Sequence, residues 1–262
     1  MPQPPDERAY FESYYKATVQ DRPTDLTTIG RVTELEARFH YNSVENAILH
    51  ALARLTPPPP AAMVGGWREM QKRRRLRHFD IGVGTGHWID FMREVCYVAE
   101  SVGAEINADM RGFLGDKYAG TPVTILDVDL ADAGFSPSIL AGPVDYVTAI
   151  GVMFHVIDDT RWRRAISHMA AALKPGGIAF VGGEFGDVTA DRVVVRTDAF
   201  RTWHEHDQTA DAHRVVKRVR SLAEWHDATR SAGLRLVEVV ASDKDSALRT
   251  PENNVAVLTR DD

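Results

Sequence analysis

The chain has 262 residues, 44% of them hydrophobic and 26% charged, so it can bury a full core without covalent staples, and disorder is excluded as its main state. A single cysteine, Cys96, excludes an internal disulfide framework and points to a reducing, cytoplasmic setting. The net charge of −6 argues against a global field for gripping nucleic acid, and no apolar run approaches the roughly 18 residues that would span a bilayer.

The first residues, Met1 to Arg8, lack the apolar stretch of a signal peptide. A helix is expected from Glu7 to Val19, with Tyr10, Tyr14 and Tyr15 along it. In a second expected helix Val44, Ala47, Ile48, Ala51, Leu52 and Leu55 recur at steps of three and four, with Asn42 and Glu45 spaced as N-cap and capping partner. Such a helical arm cannot fold alone and must lie on the main body. Pro57 to Pro60 forms a stiff connector, and Lys72-Arg73-Arg74-Arg75 reads as a solvated basic face.

Beyond the connector, strand and helix patterns alternate. A strand is expected from Leu76 to Ile81, running into a glycine turn, then a helix from His87 to Val95 and a β-rich run from Tyr97 to Ala104. A helix from Asn107 to Tyr118 follows, then strands at Val123 to Leu126 and Val144 to Ile150. A helix from Trp162 to Leu173 is halted by Lys174-Pro175-Gly176-Gly177, before a strand from Ile178 to Val181. This alternation predicts a parallel sheet covered on both faces. Residues 184–217 are polar and lack a period, which reads as an insertion beside the sheet. Ser221-Leu222-Ala223-Glu224 opens a last helix by a capping box and Gly233 stops it. Leu234 to Val240 and Val255 to Thr259 then add an antiparallel pair.

The chemistry centres on Asp80-Ile81-Gly82-Val83-Gly84-Thr85-Gly86, between a strand and a helix. Glycines there let the backbone pass close to a ligand, and the helix N-terminus beside it favours anionic groups. The spacing is G-x-G-x-G. The dinucleotide fingerprint needs glycine where His87 stands, and the phosphate loop G-x-x-x-x-G-K-[ST] is absent. A tight strand-to-helix turn would give the same letters, so the neighbouring elements decide. Glu105 closes the second strand roughly 20 residues past the glycines, where a carboxylate can accept both hydroxyls of a ribose. Asp129 follows the third strand and could accept from an adenine amino group. All three acids stand at carboxyl ends of strands, where open α/β sheets bind ligands.

In this order the residues resemble the class I S-adenosylmethionine-dependent methyltransferases. Phe79 to Gly86 resembles their first motif. Gly103-Ala104-Glu105-Ile106-Asn107-Ala108-Asp109-Met110 resembles G-V-D-I-S-x-x-M, with glutamate for aspartate and asparagine for serine. Asp129 to Phe135 resembles D-A-x-D-L-P-F, Val144 to His155 resembles F-D-L-V-x-x-x-x-V-L-H-H, and Leu173 to Gly177 resembles the loop before the fifth strand. The resemblance implies a Rossmann-like α/β fold: a mostly parallel seven-stranded sheet with an antiparallel last strand and helices on both faces. It implies S-adenosylmethionine as cofactor. Asp80, Gly82, Gly84 and Gly86 would line its methionine part and Glu105 its ribose. Asp129 and the backbone of Leu130 would meet the adenine, Ile150 would lie near the adenosine, and Ile106 would join the cofactor contacts. The chain then divides into a helical arm or lid over 1–62 and a cofactor-binding methyltransferase domain over 63–262, with 184–217 on the substrate side.

Methyl transfer from a sulfonium is an in-line displacement, so holding the acceptor supplies much of the rate. An oxygen or ammonium acceptor must also lose a proton. His155, after the fourth strand, is the candidate base, against a reading in which it only shapes the pocket floor. Tyr14, Tyr41 and Glu184 are the candidate acceptor contacts; packing of the arm and a solvated loop are the competing readings. His204, His206 and His213 suggest metal ligands, but Gln208 stands where H-x-H-x-D-H needs aspartate, so no metal is expected. The sequence therefore reads as a methyltransferase acting on an oxygen or nitrogen of a small-molecule metabolite. Its rivals are an RNA or protein methyltransferase and a non-catalytic cofactor-binding partner subunit. No nucleic-acid or membrane partner is expected, and an exposed apolar arm is compatible with a homodimer.

Overall fold

Strands buried on both faces build one mixed sheet in the computed structural model, which describes residues 8, 12, 34–56, 74–183, 192–196, 215–240 and 254–261. Strands β1 (Arg77–Ile81), β2 (Glu100–Ala104), β3 (Val123–Leu126), β4 (Val144–Ile150) and β5 (Leu173–Gly183) run parallel. Strands β6 (Arg192–Arg196) and β7 (Val215–Val219) pair as a separate antiparallel ribbon. Strands β8 (Leu234–Val240) and β9 (Asn254–Arg260) return to the main sheet, whose order is β3-β2-β1-β4-β5-β9-β8 with β9 antiparallel to both neighbours. The mostly parallel, seven-stranded sheet with its antiparallel last strand is thus observed.

The two faces are sorted by alternate residues. Phe79, Ile81, Val147, Ala149, Ala179 and Val181 join the core beneath helices α4 (Asp159–Ala172) and α5 (Leu222–Ser231), through Trp162, Ile166, Met169, Trp225 and Ala228. Ile150, Phe180, Val255 and Val257 lie in the opposite core, under helices α1 (Glu34–Leu55) and α2 (His87–Val95). Helix α3 (Ala108–Lys117) packs beside β3 and buries Leu114 with Val83 and Ile89. The arm helix α1 therefore lies on the sheet, as its step pattern requires. Trp88, Met92, Met110 and Met153 are buried core residues.

Several boundaries differ from the sequence reading. Helix α1 is continuous from Glu34, so Asn42 is an exposed interior residue and not an N-cap. Ala37 and Tyr41 carry the step of three and four further back, and burial extends the helix past the capping signal. Glu45 meets His87 instead, at 2.7 Å. Helix α4 begins at Asp159, because Asp158 caps it by accepting from the Arg161 N–H at 2.8 Å. Lys174-Pro175-Gly176-Gly177 ends α4 but does not precede β5; it is a bulge within it, since Leu173 pairs with Val144 and Ile178 with Tyr146. The capping box at Ser221 and Glu224 is present, and Asn107 caps α3. Within 184–217 the ribbon β6–β7 is regular structure that the polar composition concealed; Val193-Val194-Val195 was its signal. The expected helix from Glu7 to Val19 is described only at Arg8 and Glu12, both helical, and the connector and the boundary at 62 lie outside the described residues.

Candidate functional site

The chain runs β1, β2, β3 toward one edge and then returns to lay β4 on the other side of β1. The loops leaving β1 and β4 therefore diverge, and a crevice opens between them at the carboxyl rim, the switch point at which open α/β sheets take ligands. Every residue expected at the cofactor follows a strand at this rim or lies within the last two residues of one.

The glycine turn begins where Gly82 N–H donates to the Ala104 carbonyl at 2.8 Å. Gly82 (φ 69) and Gly86 (φ 88) adopt left-handed backbone, which disfavours any side chain. Both are also closed by protein: a Cβ on Gly82 would lie 2.4 Å from Val152 Cγ2, and one on Gly86 2.2 Å from the Tyr118 hydroxyl oxygen. These two glycines serve the packing of the turn as well as any ligand. Helix α3 clamps it from the side. Lys117 Nζ donates to the Thr85 carbonyl at 2.7 Å, and the Tyr118 hydroxyl lies 2.8 Å from the Gly86 carbonyl.

Glu105, after β2, is buried, and its carboxylate spans two loops. Oε1 accepts from Asn107 N–H at 2.9 Å and Oε2 from Gly84 N–H at 3.2 Å. Burial raises its pKa, opposed by these backbone donors and by Arg111. Asp80, the penultimate residue of β1, is fully buried and held up at a pKa of about 7 by desolvation, with Glu105 adding a like charge and Thr148 and His87 opposing. Asp80, Glu105 and the glycine turn thus converge. Asp80 Oδ2 has no hydrogen-bond partner among the described residues. A buried acceptor two residues before a glycine turn, one strand away from a second carboxylate, fits the ammonium and ribose ends of an adenosyl amino acid.

The remaining expected residues take more varied positions. Asp129 lies farther along the rim, where Oδ1 accepts from Ala131 N–H at 2.7 Å and Oδ2 from Arg161 at 2.6 Å. Leu130 is a core residue whose carbonyl lies 2.7 Å from His168 Nδ1. Ile106 is half-buried, and its carbonyl accepts from Arg8 at 3.1 Å; Arg8 also reaches Asp127 at 2.9 Å. Ile150 ends β4 within the core under α1. His155 is half-buried in a 3-10 turn, Met153–His155, its ring 4.3 Å from that of Phe154. Tyr41 is buried, its ring 3.9 Å from that of His87 and 5.6 Å from that of Trp88. Tyr14, Glu184 and the histidines 204, 206 and 213 lie outside the described residues; among those described, no group of three metal-ligating side chains gathers.

Sequence reasoning missed two buried polar residues beside Asp80. His78 Nε2 lies 2.7 Å from Thr148 Oγ1, which donates to Asp80 Oδ1 at 2.5 Å. The signal was available. His78 stands two residues before Asp80, hence on the same face, in a strand otherwise apolar there. The missing knowledge was that Thr148 on β4 pairs in register with Asp80.

A family model described as a methyltransferase domain matches residues 40–239. A S-adenosylmethionine-dependent methyltransferase from Clostridium acetobutylicum ATCC 824 superposes with a TM-score of 0.56 at 10% identity, covering 85% of this chain and 92% of that one. The glycopeptide N-methyltransferase MtfA, solved with S-adenosylmethionine, gives 0.54 at 13% identity, covering 84% and 94%. CalS10, an amino pentose methyltransferase from Micromonospora echinaspora, gives 0.50 at 16% identity, covering 81% and 96%. No curated protein sequence matches.

Proposed function

Because the chain belongs to the methyltransferase-domain family and its cofactor is S-adenosylmethionine, we propose that it transfers the methyl group to an oxygen or nitrogen of a small-molecule metabolite in the cytoplasm. The observation that carries the acceptor class is the net charge of −6, together with a small concavity beside the turn bearing His155. Met153, Phe154, Trp162, Val181, Arg218 and Trp225 are among its lining residues. Its free volume is about 10 Å³, room for about one water, and it brings aromatic faces together with guanidinium groups. That composition suits a compact, partly apolar acceptor. A polymer would call for an open basic track, and the net charge of −6 gives it little support.

The cofactor supplies an electrophilic methyl already activated by sulfonium charge. The protein's own contribution is placement. Asp80 would accept from the ammonium and Glu105 from the ribose hydroxyls, and the rim at Asp129 and Leu130 would meet the adenine. His155 would take the proton of a hydroxyl acceptor as its new bond to carbon forms, or that of an ammonium beforehand, since only the neutral amine has the lone pair that attacks. Incubation with S-adenosylmethionine and pooled metabolites should release S-adenosylhomocysteine and one methylated product. His155→Ala should lower turnover by about 100-fold and leave cofactor affinity unchanged. Turnover insensitive to that substitution removes His155 from the chemistry, and product on RNA or protein alone overturns the acceptor class.

A further inference from the structure

Three side chains form an unbroken polar line inside the sheet: His78 on β1, Thr148 on β4 and Asp80 on β1, each wholly buried. Thr148 has one hydroxyl proton and sits between two partners, 2.7 Å from His78 Nε2 and 2.5 Å from Asp80 Oδ1. The proton arrangements that satisfy both contacts are of two kinds, set by the charge on Asp80. In the first, neutral His78 carries its proton on Nε2 and donates to Thr148, whose hydroxyl donates to an ionised Asp80. In the second, Asp80 is protonated: either on Oδ1, donating to Thr148, which donates to a bare Nε2, or on Oδ2, with Thr148 still donating to Oδ1. The far nitrogen, Nδ1, has no partner among the described residues in either case. His78 is neutral in both, since burial pushes its pKa down to about 3.

The two arrangements present different faces to the crevice. The first leaves Asp80 a carboxylate whose unpartnered Oδ2 can accept from a cation. The second leaves a neutral acid. We propose that Thr148 and His78 are positioning residues for Asp80. Their donor chain holds its carboxylate as an acceptor toward the ammonium of the cofactor's methionine part, so that cofactor binding expels one proton from the site. The proposal rests on the cofactor reading of Asp80 given above.

Other charges face Asp80 and share in its titration. Glu105 after β2 opposes ionisation, and His87 at the start of α2 favours it. The Ile81 backbone N–H also favours ionisation, and the Tyr118 hydroxyl after α3 lies within electrostatic reach. Glu105 is therefore the one rival source of an expelled proton, since its pKa is also raised. The rival can be isolated with 5′-methylthioadenosine, which has the ribose but no ammonium.

The test is calorimetry of the full chain with S-adenosylhomocysteine, in buffers of differing ionisation heat, from pH 6 to pH 8.5. With Asp80 near 7, wild-type affinity should fall about 10-fold from pH 8.5 to pH 6, with close to one proton released at the acid end. Thr148→Val keeps shape but removes the donor to Asp80, so its profile should move to higher pH, with affinity at pH 7 down by about 10-fold. His78→Leu should shift the same way, and His78→Gln, whose amide can still donate, should restore the wild-type profile. Methylthioadenosine should bind without proton release. Affinity independent of pH, a wild-type profile in Thr148→Val, or equal proton release with methylthioadenosine overturns the relay. Failure of wild type to bind S-adenosylhomocysteine at any pH overturns the cofactor reading of Asp80 itself. Thermal melting of each variant shows which of them fold; the Thr148→Val and His78→Gln pair decides if His78→Leu does not.

Discussion

At the scale of single residues, the site stores unfavourable electrostatics. Asp80 is a carboxylate with no solvent, a like charge nearby and one strong donor. Its pKa of about 7 has a consequence for the protein alone. Between about pH 4 and pH 7 the folded state keeps a proton that the unfolded chain has lost. The stability tied to this proton is therefore complete below about pH 4 and is gone once the pH has risen past about 7. Asp80→Asn keeps the shape and the oxygen that Thr148 bonds but cannot ionise. The variant should match wild type in thermal midpoint near pH 4 and melt several degrees higher at pH 8, while binding S-adenosylhomocysteine at least 10-fold more weakly. Melting curves at the two pH values check the sign. A variant less stable than wild type at pH 8 would mean that Asp80 is ionised and well satisfied in the fold.

At the scale of elements, what could be read in advance depended on whether the information was local. The glycine turn and the Ser221 capping box are each written within a few residues, and each stands where expected. The start of α1 was misread for the complementary reason. The local cap at Asn42 was outweighed by burial of Tyr41 against His87 and Trp88, more than 40 residues away in sequence. The relay at Asp80 required knowing which residue of β4 lies opposite, and strand register between distant segments is not a local property. The same junction tests the role of Tyr41. Its ring stacks on the first residue of α2, and Glu45 on the same arm helix reaches that imidazole. Tyr41→Ala should cost about 3 kcal/mol of stability, as for other large aromatic truncations. Cofactor affinity should fall with it, because His87 directly follows Gly86. A KM change for the acceptor with unchanged stability would instead put Tyr41 at the acceptor.

At the scale of the molecule, the N-terminal arm meets the rest at two places with different physics. Helix α1 is a layer of the fold: Val44, Ile48 and Leu52 share one apolar cluster with Phe180, Val255 and Val257 of the sheet. Arg8 instead meets the rim, donating to the Ile106 carbonyl and to Asp127, with Arg111 on the other oxygen of that carboxylate. Its ion pair is well exposed, so it adds little to stability. It does lie across the segment that follows Glu105. Two truncations should therefore behave differently. Removing residues 1–56 uncovers the apolar face of β5 and β9 and should give an aggregating or dye-binding product. Removing residues 1–33 leaves α1 in place. That protein should melt within a few degrees of wild type yet release S-adenosylhomocysteine about 3-fold faster, measured by stopped-flow displacement, and Arg8→Ala should reproduce most of the change. Equal release rates in all three proteins would show that the rim contact does not gate the crevice. A soluble, cooperative fold without residues 1–56 would show that α1 is an appendage, and the sheet would then have to cover its second face by other means.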